Sequence, residues 1–257
     1  MTVAMPMQLE VYPTDAEAFE AAATLAAERL RERPGKGREA VALSGGRSGR
    51  GVMVALAARE GLPWERIDWF WADERCVPAD DPRSNVRLAR ESLLAPRSVA
   101  AERIHPPPLE MVVPARIAAG YAATLAALLP PGPAPVFDLV LLGVGSDGHI
   151  ASLMPRSGAL RATAPVAAVP QEEVSVDPRV ARITVTPPVL AAARHVIVVV
   201  AGDDKAAAVA AALRDPGDAT LIPARLVRPA PNVTWVVDRA AAAELLRDAR
   251  PAAEGEH

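Results

Sequence analysis

The run Val196-Ile197-Val198-Val199-Val200 decides the fold. Unbroken β-branched residues without polar alternation read as a strand buried on both faces, the habit of parallel sheets covered by helices on each side. Outward from it, short apolar runs alternate with helical patterns. Glu39 to Leu43 predicts a strand, Ser48 to Glu60 a helix ended by Gly61, Ile67 to Trp71 a strand, and Ser84 to Leu94 a helix with Ser84 as N-cap. Ala115 to Leu129 predicts a helix stopped by Pro130-Pro131, Phe137 to Leu142 and Arg182 to Val185 strands, and Ala191 to Arg194 a helical turn. Arg194 to Val200 is then a strand, Asp203 to Leu213 a helix, Val233 to Val237 a strand, and Arg239 to Asp248 a closing helix. The pattern implies an α/β fold, a doubly wound and mostly parallel sheet sandwiched by helices.

At 257 residues and 51% apolar content the chain can bury a sizeable core, and one domain over 1–257 is expected. Proline-rich stretches at 106–108, 130–135 and 187–188 read as loops within it. A net charge of −3 leaves no basic footprint for nucleic acid. No apolar stretch approaches the roughly 18 to 20 residues that cross a bilayer, so no membrane partner is expected. The start of the chain lacks a secretory pattern and the one cysteine, Cys76, has no internal partner, which points to the cytoplasm. Cys76 itself reads as a small apolar filler. Oligomeric state is open, with a monomer as the default.

Four strand ends run into polar or glycine-rich loops: Ser44-Gly45-Gly46-Arg47-Ser48, Asp73-Glu74-Arg75, Gly143 to His149, and Gly202-Asp203-Asp204-Lys205. Ligands of doubly wound sheets bind outside the carboxyl ends of the strands, so these loops are expected to face one pocket. The paired glycines Gly45 and Gly46 at a helix start expose backbone N–H groups to an anion. Of 28 basic residues only Lys36 and Lys205 are lysine; Lys205, in the first turn of a helix, opposes the macrodipole and so implies an anionic ligand. In Gly145-Ser146-Asp147-Gly148-His149, a histidine lies beside a carboxylate that can orient it, an arrangement suited to proton transfer near neutral pH. His105, His195 and His257 read as structural. Gly143, Gly145 and Gly148 also spell a dinucleotide fingerprint with Glu172 and Glu173 downstream, but Pro155 and Gly158 break the helix such a motif must open.

These loops, in this order, resemble the 6-phosphogluconolactonase family, part of a larger group that includes the glucosamine-6-phosphate deaminases. The resemblance runs from Leu43-Ser44-Gly45-Gly46 through Trp71 to Pro78, Asp81-Pro82-Arg83-Ser84-Asn85, Asp147-Gly148-His149 with Ala151-Ser152-Leu153, Arg182-Ile183-Thr184, and Gly202 with Lys205, to Pro223-Ala224 and Val233-Thr234-Trp235. It implies hydrolysis of 6-phosphoglucono-δ-lactone in the oxidative pentose phosphate pathway, without metal or organic cofactor. By the resemblance His149 is the base that activates water, and Arg75, Lys205 and the Ser44-Gly45-Gly46 backbone hold the phosphate. Asp147, Asn85 and Arg182 are expected close by.

Two positions depart from the family pattern. Arg47-Ser48-Gly49 stands where the family has Ser-Thr-Pro, leaving Arg47 either a phosphate contact or a solvent-facing residue, and Ile150 replaces a threonine, as in the deaminases. Deaminases, however, place a glutamate where this chain has Met154, which carries no proton. A non-catalytic sugar-phosphate sensor is the other alternative; such proteins carry a DNA-binding module, and no basic helix-turn-helix precedes residue 39.

Overall fold

The computed structural model describes residues 7–32, 37–214 and 217–248. The tail with His257, and Lys36, lie outside them. Six strands, β1 (Gln8–Tyr12), β2 (Glu39–Leu43), β3 (Ile67–Trp71), β5 (Leu139–Leu142), β8 (Val196–Val200) and β9 (Val233–Asp238), form a parallel sheet in the order β1-β9-β8-β5-β2-β3. Every residue of β2, β3, β5 and β8 is buried, as expected for a sheet covered on both faces. The result is a three-layer α/β sandwich. A second, antiparallel sheet takes up β4 (Asp73–Arg75), β7 (Arg182–Val185) and β6 (Val166–Val169), in the order β4-β7-β6.

Most predicted elements stand within a few residues of their expected bounds: α2 is Gly46–Ala57, α4 Pro114–Leu128, α6 Ala206–Leu213 and α7 Ala243–Asp248. Three differences have physical causes. Pro187 and Pro188 do not lie in a loop but open α5 (Pro187–Ala192), where proline's fixed φ and missing N–H cost nothing. The helix begun by Ser84 is regular only as α3 (Asn85–Ala89) and widens to a π-turn over Arg90–Leu94, although Ser84 Oγ does accept from the N–H groups of Val86 and Arg87. Arg182 to Val185 pairs with the second sheet, not the first.

No element is expected before Glu39, yet β1 and α1 (Asp15–Glu32) are there. Thr14 and Glu17 begin α1 as a capping box: Thr14 N–H donates to Glu17 Oε2 at 3.0 Å and Glu17 N–H to Thr14 Oγ1 at 3.2 Å. Its inner face is alanine (Ala18, Ala22, Ala23, Ala26, Ala27) with Leu30, which lets α1 lie close against α2 and over β8 and β9.

The chain passes between sheets at Ala72. Its N–H donates to Leu43 O in the parallel sheet at 2.7 Å and its carbonyl accepts from Val185 N–H in the antiparallel one at 2.8 Å. Just before it, Trp71 lies on an edge strand and, among the described residues, has no further strand to pair with. Tyr121 of α4 fills that role: its hydroxyl accepts from Trp71 N–H at 2.7 Å and donates to Trp71 O at 3.0 Å, fully buried. Tyr121→Phe should strand both backbone groups and destabilise the protein by about 1 to 3 kcal/mol, read as a lower urea midpoint at unchanged m-value.

Candidate active site

The order of the large sheet reverses between β2 and β5: the chain steps from β2 out to β3, then returns to β5 on the other side and proceeds to β8 and β9. Such a switch point leaves a crevice outside the carboxyl ends of the adjacent strands. A cleft of about 370 Å³ lies there, and all four polar loops line it, with Ser44, Gly45, Gly46, Arg75, Asn85, His149, Arg182 and Lys205 on its walls. Asp147 is not on its wall and lies behind His149.

His149 and Asp147 are held by a tight loop. Gly145 N–H donates to His149 O and Gly148 N–H to Gly145 O, both at 2.9 Å, and Gly148 takes a φ of +83°, a conformation that favours glycine. A Cβ on Gly145 would fall 2.0 Å from His149 Nδ1, so only glycine permits the ring where it is. Asp147 Oδ1 lies 2.6 Å from His149 Nδ1 and also accepts from His149 N–H at 3.1 Å. Burial pushes the Asp147 carboxyl up, but the His149 hydrogen bond and charge, together with the Ser175 hydroxyl, outweigh it and hold the group below the usual carboxylate range.

Ser175, which sequence reasoning did not single out, donates to Asp147 Oδ2 at 2.7 Å. It is carried by the same loop as Val176 and Asp177, which line the cleft. Nothing local in the sequence marks it, because its partner is 28 residues away.

Asp73, Glu74 and Arg75 form β4, and each does something different. Asp73 is buried and accepts from Ser44 Oγ at 2.9 Å and Ser152 Oγ at 2.7 Å, while Asn85 Nδ2 donates to its carbonyl at 3.0 Å. Glu74, fully buried, accepts the N–H groups of Arg75 (2.6 Å), Asn85 (2.8 Å) and Val86 (2.6 Å) and the Ser84 hydroxyl (3.1 Å), so its carboxyl anchors the start of α3. Arg75 sits across from Arg182 in the antiparallel pair and donates to Arg83 O. Among the described residues, Arg75 Nε, Arg182 Nε and Asn85 Oδ1 are buried without a partner, although all three side chains reach the cleft.

The α2 end of the cleft has no side-chain cap and no acidic residue in its first turn. Lys205 faces it from the turn Asp203–Lys205, paired to Asp204 at 3.0 Å. That turn is set by Asp238 at the end of β9, whose carboxylate accepts Gly202 N–H at 3.1 Å. No regular helix follows Gly148, only turns until a short 3-10 segment at Gly158–Arg161, so the Gly143, Gly145, Gly148 spacing lacks the helix N-terminus on which a dinucleotide's pyrophosphate sits. Ile150 and Met154 are fully buried and absent from the cleft wall. Cys76 lies outside the cleft, its thiol pushed up to about 12 by burial and the charge of Glu74, in keeping with a filler. His105 hydrogen-bonds Asp68 at 3.0 Å and stacks on Phe70, and burial lowers His195.

The site is thus a polar cleft at a sheet switch point, with the uncapped start of α2, Arg75 and Lys205 at one end and a histidine–aspartate pair at the other. Comparison with known proteins narrows the class. The family model described as Glucosamine-6-phosphate isomerases/6-phosphogluconolactonase matches residues 13–235. A 6-phosphogluconolactonase of Streptomyces coelicolor is 38% identical over 244 residues, 91% of this chain and 92% of that one. A second, from Synechocystis, is 37% identical over 212 residues, covering 82% and 86%. Among solved structures, 6-phosphogluconolactonase from Trypanosoma brucei superposes with a TM-score of 0.82 at 31% identity, over 93% of this chain and 98% of that one. A monomeric glucosamine-6-phosphate deaminase shares the fold at a TM-score of 0.75 and 20% identity. The chain belongs to the glucosamine-6-phosphate isomerase/6-phosphogluconolactonase family.

Burial pushes the Glu74 carboxyl up to about 7 against the pull of its backbone N–H donors. The folded protein therefore holds an extra proton between the ordinary value of 4.5 and about 7, and stability falls as pH rises through that window. The wild type should lose on the order of 3 kcal/mol relative to Glu74→Gln between about pH 4.5 and 8, measured by urea denaturation. A pH-independent difference between the two would remove the buried carboxyl as its source.

Proposed function

We propose that the protein hydrolyses 6-phosphoglucono-δ-lactone to 6-phosphogluconate, the lactonase step of the oxidative pentose phosphate pathway, with His149 as general base. The observation that carries the reading is the 2.6 Å contact between His149 Nδ1 and Asp147 in a cleft whose far end is cationic. An ionised Asp147 accepts a hydrogen bond from His149 Nδ1–H, which keeps the proton on Nδ1 and leaves Nε2 as the lone-pair nitrogen, and Nε2 has no protein partner among the described residues. Names and folds of the relatives support the substrate class.

In this reading Lys205, Arg75 and the backbone of Ser44, Gly45 and Gly46 hold the phosphate, and that remote anchor sets the carbonyl against the histidine. Lysine and arginine suit a dianion through charge-assisted hydrogen bonds. His149 Nε2 takes a proton from water as the water oxygen bonds to C1 of the lactone. The bond from C1 to the ring oxygen then breaks, and the proton passes from the imidazolium to that oxygen, which leaves as a hydroxyl. Asn85 offers its unpartnered Oδ1 to a sugar hydroxyl, and Arg182 offers positive charge to the developing oxyanion. The same reading takes the chain as one domain in the cytoplasm acting on a small substrate, with no metal, organic cofactor, nucleic acid or membrane involved. Deamination needs a further acid or base to open a cyclic hemiacetal, and buried Met154 stands at that position.

The wild type should accelerate lactone hydrolysis well above the buffer rate and release no ammonia from glucosamine 6-phosphate; the reverse result would overturn the reading. His149→Ala should lower kcat by about 10² to 10⁴ while 6-phosphogluconate still binds. Lys205→Ala should weaken phosphorylated ligands by about 1.5 to 3 kcal/mol and leave unphosphorylated gluconolactone hydrolysis unchanged in KM. Ser175→Ala, which removes the hydroxyl behind Asp147, should lower kcat by about 3- to 10-fold at nearly constant KM, the size of one lost hydrogen bond.

A further inference from the structure

Among the described residues, Arg47 is the one cation on the cleft wall with no part in the proposed reaction. It is the second residue of α2, where a positive charge opposes the helix dipole and α2 supplies no acidic residue of its own. The compensation comes from another helix: Arg47 Nη2 lies 2.5 Å from Asp15 Oδ2, in the first turn of α1. The other end of the guanidinium lies toward Gly202. A Cβ added to Gly202 would sit 3.4 Å from Arg47 Nη1, so the fork spans from α1 to the turn that carries Lys205. Arg47 also lines the cleft itself, beside Gly46 and Ser48.

We propose that Arg47 is a phosphate-affinity residue that changes partner, held by Asp15 in the empty protein and released to the ligand's phosphate when one enters. The proposal rests on reading this end of the cleft as the phosphate's. Its energetic basis is a competition for one guanidinium. The pair with Asp15 is exposed, 65% for Arg47 and 37% for Asp15, and exposed ion pairs are weak and screened by salt. A phosphate dianion carries more charge, matches the planar fork, and lies where the uncapped N–H groups of α2 and the Lys205 ammonium already favour an anion. Asp15 is thus a built-in competitor that lowers phosphate affinity.

The two ends of the pair should then have opposite effects, which a static surface ion pair would not produce. Calorimetric titration with inorganic phosphate and with 6-phosphogluconate should show R47A binding about 5- to 20-fold more weakly than wild type. D15N should bind about 2- to 5-fold more tightly, and this gain should vanish when D15N is combined with R47A. R47K, which keeps the charge and loses the fork, should fall between wild type and R47A. Unchanged phosphate affinity in R47A would overturn the proposal, as would weaker binding in D15N, which would mean that Asp15 holds Arg47 in its binding pose. A D15N gain that persists without Arg47 would overturn it too, reducing Asp15 to general repulsion. Phosphate binding is read without turnover, so a wild type that binds phosphate but leaves the lactone intact would sink the lactonase reading alone. Normal lactone hydrolysis with R47A phosphate affinity unchanged would sink only the role of Arg47.

Discussion

The buried carboxylate of Asp73 is the constraint on which the site depends. Its two oxygens accept the hydroxyls of Ser44 and Ser152, and the carbonyl of the same residue accepts from Asn85, so one residue ties together the end of β2, the loop after His149 and the start of α3. A buried charge is tolerated only with such partners, and once satisfied it fixes their geometry. Asp73 can occupy that place because the backbone leaves the parallel sheet at Ala72, one residue earlier, with its N–H bonded in one sheet and its carbonyl in the other. The edge strand β3, shielded by Tyr121, makes that departure possible.

Around this knot the cleft wall carries Arg47, Arg75, Arg182 and Lys205 beside Asp73, Asp177 and Asp204. Arg75 and Arg182 stand opposite one another on antiparallel strands, an arrangement that costs energy between like charges. Burial and the neighbouring Arg75 make the Arg182 guanidinium easier to deprotonate, while Asp73, Asp147 and Glu74 pull the other way. Yet the Asp73 oxygens accept hydroxyls, and the Glu74 oxygens accept backbone N–H groups and the Ser84 hydroxyl. The result is a cleft in which, among the described residues, the buried Arg75 Nε and Arg182 Nε have no partner.

Much of this was legible in the residue order. Strands such as Val196–Val200 announce burial by composition, the glycine-rich strand ends announce close backbone approach, and Asp147-Gly148-His149 places base and orienter within one tight turn. All four loops do meet at one cleft. The N-terminal strand and helix were harder to see, because β1 is a mixed edge strand and the core face of α1 is alanine, which barely registers as an apolar stripe. The capping box at Thr14 and Glu17 was a local signal that could have located α1.

By itself, then, the sequence determined the α/β class, the strand ends that carry polar chemistry, and the pairing of His149 with Asp147, since each rests on periodicity or on contacts a few residues apart. Only the tertiary structure decided that Asp73–Arg75 is a strand of a second sheet, that Ser175 backs Asp147 across 28 residues, and that Arg47 of α2 is held by Asp15 of α1. These contacts join segments whose separation along the chain carries no trace of their meeting. They exist because burial of the two sheets and their helices brings those segments together, and no local propensity encodes which distant partner a hydroxyl, carboxylate or guanidinium will find.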